Sequence, residues 1–404
     1  MPPGSRANGC STPPRRKARQ PSTKKGDRGL AFSVIHTADW QIGKLFGRFP
    51  DETRVLLNHQ RIATIRRIGE IARERRADAV LVAGDVFETH AVSDETIRRT
   101  LNALDGFAGP WVMLPGNHDS ALAESPWSRI RRIGAPENLT LATQREPIVL
   151  AGGAVTVLPA PLVRRHEAAD VTEWFDDAPS GPGSLRVGLA HGSVAAFLQA
   201  QAEAPNPIAH DRAERARLDY LALGDWHGTL RIGPRTWYSG TPEADGFKAN
   251  APGNVLHVRF DKPGATPAVE VIPAGHYHWH TVAIDIHASD DIPGIAHAVE
   301  ALGAPLEHRV VRLTLNGAVA FDTRFAVDEA LQSLKARVHF LDVEDSQLIA
   351  QPSADDLDRI DRIGFVRSAV DALGARAGDV TDPERETARL ALEILYMEHR
   401  KLAS

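Results

Sequence analysis

Five short apolar runs, each broken off by polar residues of the kinds that bind metals and phosphate, constrain this chain more than any other feature. Ala31-Phe32-Ser33-Val34-Ile35-His36 leads to Asp39-Trp40-Gln41, and Ala79-Val80-Leu81-Val82-Ala83 leads to Gly84-Asp85 and Glu88. Trp111-Val112-Met113-Leu114 runs into Pro115-Gly116-Asn117-His118-Asp119. The run 185–190 ends at His191, and Tyr220-Leu221-Ala222-Leu223 ends in Gly224-Asp225-Trp226-His227. Short continuous apolar runs are typical of strands buried on both faces. Between the first three, residues 52–76 carry Val55, Leu56, Ile62, Ile65, Ile68 and Ile71 at near-helical spacing. A second helix is predicted over 93–106, with Ser93 as its N-cap. This alternation predicts right-handed βαβ units and parallel strands. Open α/β sheets gather ligands just past the strand ends, where these polar clusters fall.

The residues in those clusters are oxygen and imidazole donors without a thiolate. Cys10 is the only cysteine, which rules out an internal disulfide and a cysteine-built zinc site. The donor mix suits manganese, iron or zinc, and manganese best where oxygens dominate. Two neighbouring metals need a shared carboxylate, and Asp85 is the natural bridge. Singly, each residue has a plainer role: Asp39 and Asp85 as helix caps, Asn117 as a turn residue beside Gly116, His191 as a core histidine. It is their order along the chain that points to one site. His59, His166 and His210 read as surface histidines.

That order resembles the calcineurin-like phosphoesterases, whose motifs run DxH, GDxxD, GNHD/E, a lone His and GHxH. Here they read Asp39-Trp40-Gln41, Gly84-Asp85-Val86-Phe87-Glu88, Gly116-Asn117-His118-Asp119, His191-Gly192 and Gly224-Asp225-Trp226-His227, with agreement over 32–245. The context around His36-Thr37-Ala38-Asp39 and Tyr238-Ser239-Gly240-Thr241-Pro242-Glu243 is similar to the SbcD-like nuclease branch. The resemblance implies a layered α/β metallophosphoesterase fold, with packed β-sheets flanked by helices. It implies two divalent metal ions, Mn2+ foremost, with Mg2+, Fe2+ or Zn2+ as alternatives. One would be held by Asp39, Gln41, Asp85 and His227, the other by Asp85, Asn117, His191 and Asp225. His118 would face the scissile phosphate, Glu88 would orient His118, and Asp119 would brace the loop. Gln41 and Asp225 stand where the family has histidines, and both keep a donor. Gly275-His276-Tyr277-His278 spells GHxH literally, but it lies where a second module begins and reads as a surface strand.

The remainder divides the 404 residues into four parts. Residues 1–30 form a basic tail, expected to be disordered, with eight Lys and Arg against Asp27 in a chain of net charge −5. The phosphoesterase domain is expected over 31–274. A small α+β capping module follows over 275–350, and a helical C-terminal segment over 351–404. The last helix, with Leu390, Leu392, Ile394, Leu395, Tyr396 and Met397, either packs on its own domain or docks an SbcC-like ATPase. No apolar run is long enough to span a membrane, and no secretory signal is seen, so a cytoplasmic address is expected. The leading functional expectation is a metal-dependent DNA nuclease in double-strand-break repair, an exonuclease with endonuclease activity left open. DNA and the ATPase would be its partners, and a homodimer is allowed. A phosphodiesterase or phosphatase acting on a small nucleotide or phosphoprotein, and a catalytically weakened scaffold, are the alternatives.

Overall fold

The computed structural model describes residues 32–194, 205–350 and 364–403 together with Met1. The basic tail (save Met1), and the start of the C-terminal segment up to 363, lie outside the described residues. The first four strands, β1 (Phe32–Thr37), β2 (Ala79–Val82), β3 (Trp111–Met113) and β4 (Leu139–Leu141), are mutually parallel. Between them lie the helices α1 (Asp51–Glu74), α2 (Asp94–Asn102) and α3 (Pro126–Ile133). Ser93 caps α2 by accepting from the Thr96 N–H at 3.1 Å. The next strands are β5 (Ile148–Leu150), β6 (Val155–Ala160), β7 (Leu185–His191), β8 (Ser193–Val194) and β9 (Pro207–Ile208). After the short α4 (Arg212–Arg215) come β10 (Tyr220–Gly224), β11 (Leu230–Arg231), β12 (Thr236–Tyr238), β13 (Asn254–Phe260) and β14 (Ala268–Pro273). Two six-stranded sheets result, ordered β14-β13-β1-β2-β3-β4 and β11-β12-β10-β7-β6-β5.

The apolar runs are continuous because each strand feeds two cores. Successive side chains point to opposite faces. Ile35, Val80, Val82, Trp111 and Met113 pack outward against Ile65 and Ile68 of α1, Ile97 of α2 and Ile130 of α3. Their neighbours Val34, Ala79, Leu81 and Val112 face inward and meet Val155, Val187, Leu189 and Ala222 of the second sheet. The far face of the second sheet is covered by Phe175, Ala213 and Leu218. The fold is therefore a sandwich of two mixed sheets with helices outside.

Beyond this sandwich a third sheet is formed by β15 (His278–Asp285), β16 (Arg309–Val319) and β17 (Phe340–Ala350). Helices α5 (Ile292–Glu300) and α6 (Phe321–Lys335) connect them. The strand–helix–strand pattern expected here is extended by α6 and β17, and all three strands are parallel, in an α/β rather than α+β arrangement. β17 carries little signal in the sequence because it is an edge strand whose residues, Phe-Leu-Asp-Val-Glu-Asp-Ser-Gln, expose acids along one side. The sheet and its helices have their own core around Val311, Leu313, Val327 and Leu331. They meet the sandwich through Phe46, Phe49, Tyr277 and Val310, with Trp279 stacked on Phe46. The C-terminal helices α7 (Phe365–Gly378) and α8 (Arg385–Ala403) pair on α6 and bury Val370, Leu392 and Tyr396. Among the described residues no helix is long and apolar enough to cross a membrane.

Candidate metal centre

All five polar clusters arrive at one place because their strands end on the same edge of the two sheets. β1 and β2 lie side by side, as do β7 and β10, in which His191 is paired with Gly224. The loops beyond β1 and β2 continue the parallel ladder. Asp39 N–H donates to the Gly84 carbonyl at 3.0 Å, Gln41 N–H to the Asp85 carbonyl at 2.9 Å, and Glu88 N–H to the Ile42 carbonyl at 3.0 Å. This locks the first two clusters in register. The backbone is left-handed at Asp39 (φ 54°), Gln41 (44°), Asp85 (51°) and Asp225 (103°). Such conformations cost about 1–3 kcal/mol each in a residue with a side chain and collect at functional sites.

Around His191 the donors converge. His191 is fully buried, and its Nδ1–H donates to the Ala83 carbonyl at 2.8 Å, which turns Nε2 toward the site. Nε2 lies 2.8 Å from Asn117 Oδ1, 3.5 Å from Asp85 Oδ1 and 3.8 Å from Asp225 Oδ1. Nε2 thus stands within 3.8 Å of three oxygens of the kind that ligate divalent cations. Three oxygens and one imidazole suit a hard to borderline ion. Asp39, Asp85 and His191 also bring donor atoms within 4.8 Å of one another. Asp225 is fixed by Ser193, whose Oγ–H donates to Oδ2 at 2.6 Å, and its own N–H donates to Asp39 at 3.1 Å.

The electrostatics agree with a cation at this point. Burial pushes Asp39 up to about 6, opposed by His191 and His227 and reinforced by Asp85 and Asp225. Burial alone lowers His191, yet Asp85, Asp39 and Asp225 overcome it and raise the ring to about 9. The field of the three carboxylates holds positive charge even where water is excluded.

His118 stands at the rim. Its N–H donates to Asp85 Oδ1 at 2.9 Å, and its Nδ1–H donates to the backbone carbonyl of Glu88 at 2.9 Å. The expected contact with the Glu88 carboxylate is thus replaced by one with its main chain. The tie of Glu88 N–H to Ile42 aims the carbonyl at His118, and the carboxylate turns instead to the Lys44 ammonium at 3.6 Å. Asp119 braces the loop, accepting from Gly116 N–H at 2.7 Å and Phe87 N–H at 3.0 Å.

Gln41 and His227 lie apart from the His191 set. Gln41 Oε1 accepts from Lys44 at 2.8 Å, and its amide N–H donates to His227 Nε2 at 3.1 Å. His227 Nδ1–H donates to Asp245 at 3.0 Å, and Lys44 reaches the same Asp245 oxygen at 3.1 Å. Of the four donors expected for a second ion, Gln41 and His227 are thus bonded to each other, while Asp39 and Asp85 stand beside His191. Trp40 is buried in the outer core and bonded to Thr37, while Trp226 packs half-buried on the second sheet. His276, in the literal GHxH, lies against His308 of the module with the two rings tilted, and its N–H is taken by Glu243.

Residues 32–229 match the model of the family "Calcineurin-like phosphoesterase". The chain carries a calcineurin-like phosphoesterase domain. Two curated relatives are both named as the D component of the nuclease SbcCD. The Bacillus subtilis (strain 168) protein is 27% identical over 266 residues, covering 57% of this chain and 66% of that one. The Rhodobacter capsulatus protein is 36% identical over 254 residues, covering 52% and 61%. The chain thus spans less than two thirds of either relative. A purple acid phosphatase, PPD1 from yellow lupin seeds, overlays with TM-score 0.42 at 12% identity, over 61% of this chain and 52% of that one, too loosely to carry an argument.

Several side chains that build this phosphoesterase centre carry no motif signal. Arg61 of α1 and Lys44, Ser193 and Asp245 declare themselves only through contacts. Tyr238 and Glu243 do lie in the SbcD-like segment after the last motif. Tyr238 donates to the Gly192 carbonyl at 2.7 Å and accepts from Val194 N–H at 3.0 Å, so it supports the turn behind His191. Glu243 accepts from the N–H groups of His276 (3.0 Å) and Tyr277 (2.8 Å) and so ties the third sheet to the sandwich.

Proposed function

We propose that this chain is a metal-dependent DNA nuclease, an exonuclease with endonuclease capacity serving double-strand-break repair, and that it works with an SbcC-like ATPase. The observation that carries the reading is the convergence of Asp85, Asn117, His191 and Asp225 beside a groove of about 480 Å³ lined by Asn117, His118, His90, Arg164 and Arg165. Acids deep in the site and exposed arginines at its rim are the charge order that a phosphodiester chain requires: cation-held phosphate inside, backbone phosphates outside. The relatives' name supplies the class of reaction, and the SbcD-like motif context supplies DNA and the ATPase partner.

Asp85, Asn117, His191 and Asp225 would hold one divalent ion, with Mn2+ favoured by the oxygen-rich set. Such an ion, when bound, polarises a phosphoryl oxygen and lowers the pKa of water. The chain's own residues do the rest. His118 is held by the Glu88 carbonyl at Nδ1, which leaves Nε2 as the atom able to pass a proton to the departing sugar oxygen. Its N–H meanwhile fixes the Asp85 carboxylate. Arg164 and Arg165 would take phosphates flanking the scissile one. The C-terminal helix buries Leu392 and Tyr396 and leaves Leu390 and Ile394 exposed, which supplies an apolar strip for the ATPase. A cytoplasmic address accompanies this reading.

The test is degradation of linear DNA with Mn2+, run beside hydrolysis of a small chromogenic phosphodiester. Wild type should cleave DNA, and His118→Ala should lose about 10²–10⁴-fold in rate while keeping its metal. Cleavage of the small ester alone would replace DNA by a small substrate. Metal-free, inactive protein would point to a scaffold and end the proposal.

A further inference from the structure

The hydrolytic reading above asks for one ion at His191, and this inference rests on it. Beside Gln41, which stands in the other half of the expected ligand set, a positive charge comes from the chain itself. We propose that the Lys44 ammonium takes the place of a second divalent ion, so that the centre binds a single metal and carries its other cation on the chain.

The hydrogen-bond polarity of the Lys44–Gln41–His227–Asp245 chain follows from the ammonium at its end. An ammonium has donors only. At 2.8 Å from Gln41 it must face the amide oxygen, so the NH2 end of that amide faces His227 at 3.1 Å. The NH2 also only donates, so His227 Nε2 is the acceptor. The ring proton then sits on Nδ1, directed at Asp245 3.0 Å away. The two lone pairs that would reach a metal, on Gln41 Oε1 and His227 Nε2, are both occupied. A carboxamide suits this bridge, because it accepts at one end and donates at the other.

The cation is also held in place by two carboxylates. Lys44 Nζ lies 3.1 Å from Asp245 and 3.6 Å from Glu88. Its loop is pinned from both sides. The Lys44 N–H donates to the Gln41 carbonyl at 3.2 Å, and Gly43 turns with φ +92°, where an added Cβ would meet Val92 at 2.9 Å. Two residues further on, Phe46 is buried against Trp279 of the third sheet. The module therefore fixes the position of the lysine. A point charge on a four-carbon stem can neutralise a phosphate oxygen as an ion does, but it brings no bound water and no open coordination site.

The experiment is a count of ions, independent of activity. Full-length protein is loaded with Mn2+, desalted and analysed for metal content, with low-temperature electron paramagnetic resonance on the same samples. Wild type is expected to hold one Mn2+ per chain with an uncoupled spectrum. Gln41→His/Lys44→Ala is expected to hold two with an exchange-coupled spectrum. Lys44→Met alone, a milder change, should add a second, weaker binding event in calorimetry that wild type lacks. Two coupled ions in wild type would overturn the inference and leave the nuclease reading standing. So would a folded double variant, checked by circular dichroism, that still holds one. Folded wild type holding no ion would instead sink the metal-hydrolase reading itself.

Discussion

Replacing Arg61 by methionine should cost the sandwich about 3–5 kcal/mol and loosen the metal centre with it. Arg61 projects from α1 with only 2% of its surface exposed. Its Nε–H donates to the Trp40 carbonyl at 2.8 Å, one Nη to the Glu243 carbonyl at 3.1 Å, and the other to Thr241 Oγ1 at 3.2 Å and the Asp39 carbonyl at 3.4 Å. One guanidinium thus joins the loop after β1 to the segment after β12. Charge-assisted bonds contribute about 1.5–3 kcal/mol each. They cannot simply be added here, because the Glu243 carbonyl also accepts from Thr241 at 2.8 Å and the Asp39 contact is long. One full bond, one shared bond and two weaker ones give about 3–5 kcal/mol, the range found when one partner is stripped from a buried ionic network. Methionine fills the space of the stem, so little cavity cost is added. Equilibrium urea unfolding followed by tryptophan fluorescence measures the loss, and Mn2+ titration should show at least about tenfold weaker binding, or 1.4 kcal/mol. Arg61→Lys should recover only part, since an ammonium cannot span Trp40 and Thr241 together. A loss below about 1 kcal/mol for Arg61→Met would refute the reasoning, because the loop would then be held by the β1–β2 ladder alone.

Three further outcomes are expected. Burial lowers His36 to about 3 from 6.5, despite its bond to the Leu223 carbonyl, so the fold favours the neutral ring. Its contribution is complete above pH 6.5 and is lost as pH falls toward 3, at up to about 1.4 kcal/mol per unit. The stability of His36→Gln should therefore decline less steeply than wild type between pH 6.5 and 4 in urea titrations, and parallel curves would contradict the assignment. In Gly116→Ala the new Cβ would stand 2.1 Å from Asp85 Oδ1, so Mn2+ affinity should fall at least about tenfold by calorimetry. Unchanged affinity would mean that Asp85 is not held by this loop. Arg164→Ala/Arg165→Ala should weaken DNA binding alike for all sequences and reduce the slope of log K against log salt by about 1–2, with metal content unchanged.

Much of this was legible in the sequence because buried parallel strands write their position as unbroken apolar runs, and β1, β2, β3, β7 and β10 all did so. The first helix was less legible. Its periodicity pointed inward with Val55 and Leu56, yet these are 53% and 49% exposed, while Arg61 and Thr64 are buried. Where α1 crosses the site it packs on backbone carbonyls and on Glu243, whose carboxylate accepts from Thr64 at 2.6 Å. A polar seam inside a helix interface has no hydrophobic signature. Glu88 shows the same limit at finer scale, since sequence spacing placed it beside His118 but could not tell carbonyl from carboxylate. Lys44 and Asp245 lie about 200 residues apart in the chain, and nothing but their 3.1 Å contact joins them.

The glycines of the motifs explain why the pattern survives where the ligands change. A Cβ on Gly84, where φ is +93°, would fall 2.3 Å from His191 Nδ1, and one on Gly224 would fall 2.0 Å from the Ala83 carbonyl. These glycines let two sheet edges close on a single imidazole, whatever follows them in sequence. Position 225 can therefore change from histidine to aspartate and still present an oxygen to His191, because Ser193 and Asp39 hold it from both sides. Position 41 is held differently, by its main chain to Asp85 and by its side chain to His227. The other end of its amide accepts from Lys44, three residues along the same loop. The two departures from the family pattern thus differ in kind: Asp225 is directed at His191, and Gln41 is directed at Lys44 and His227.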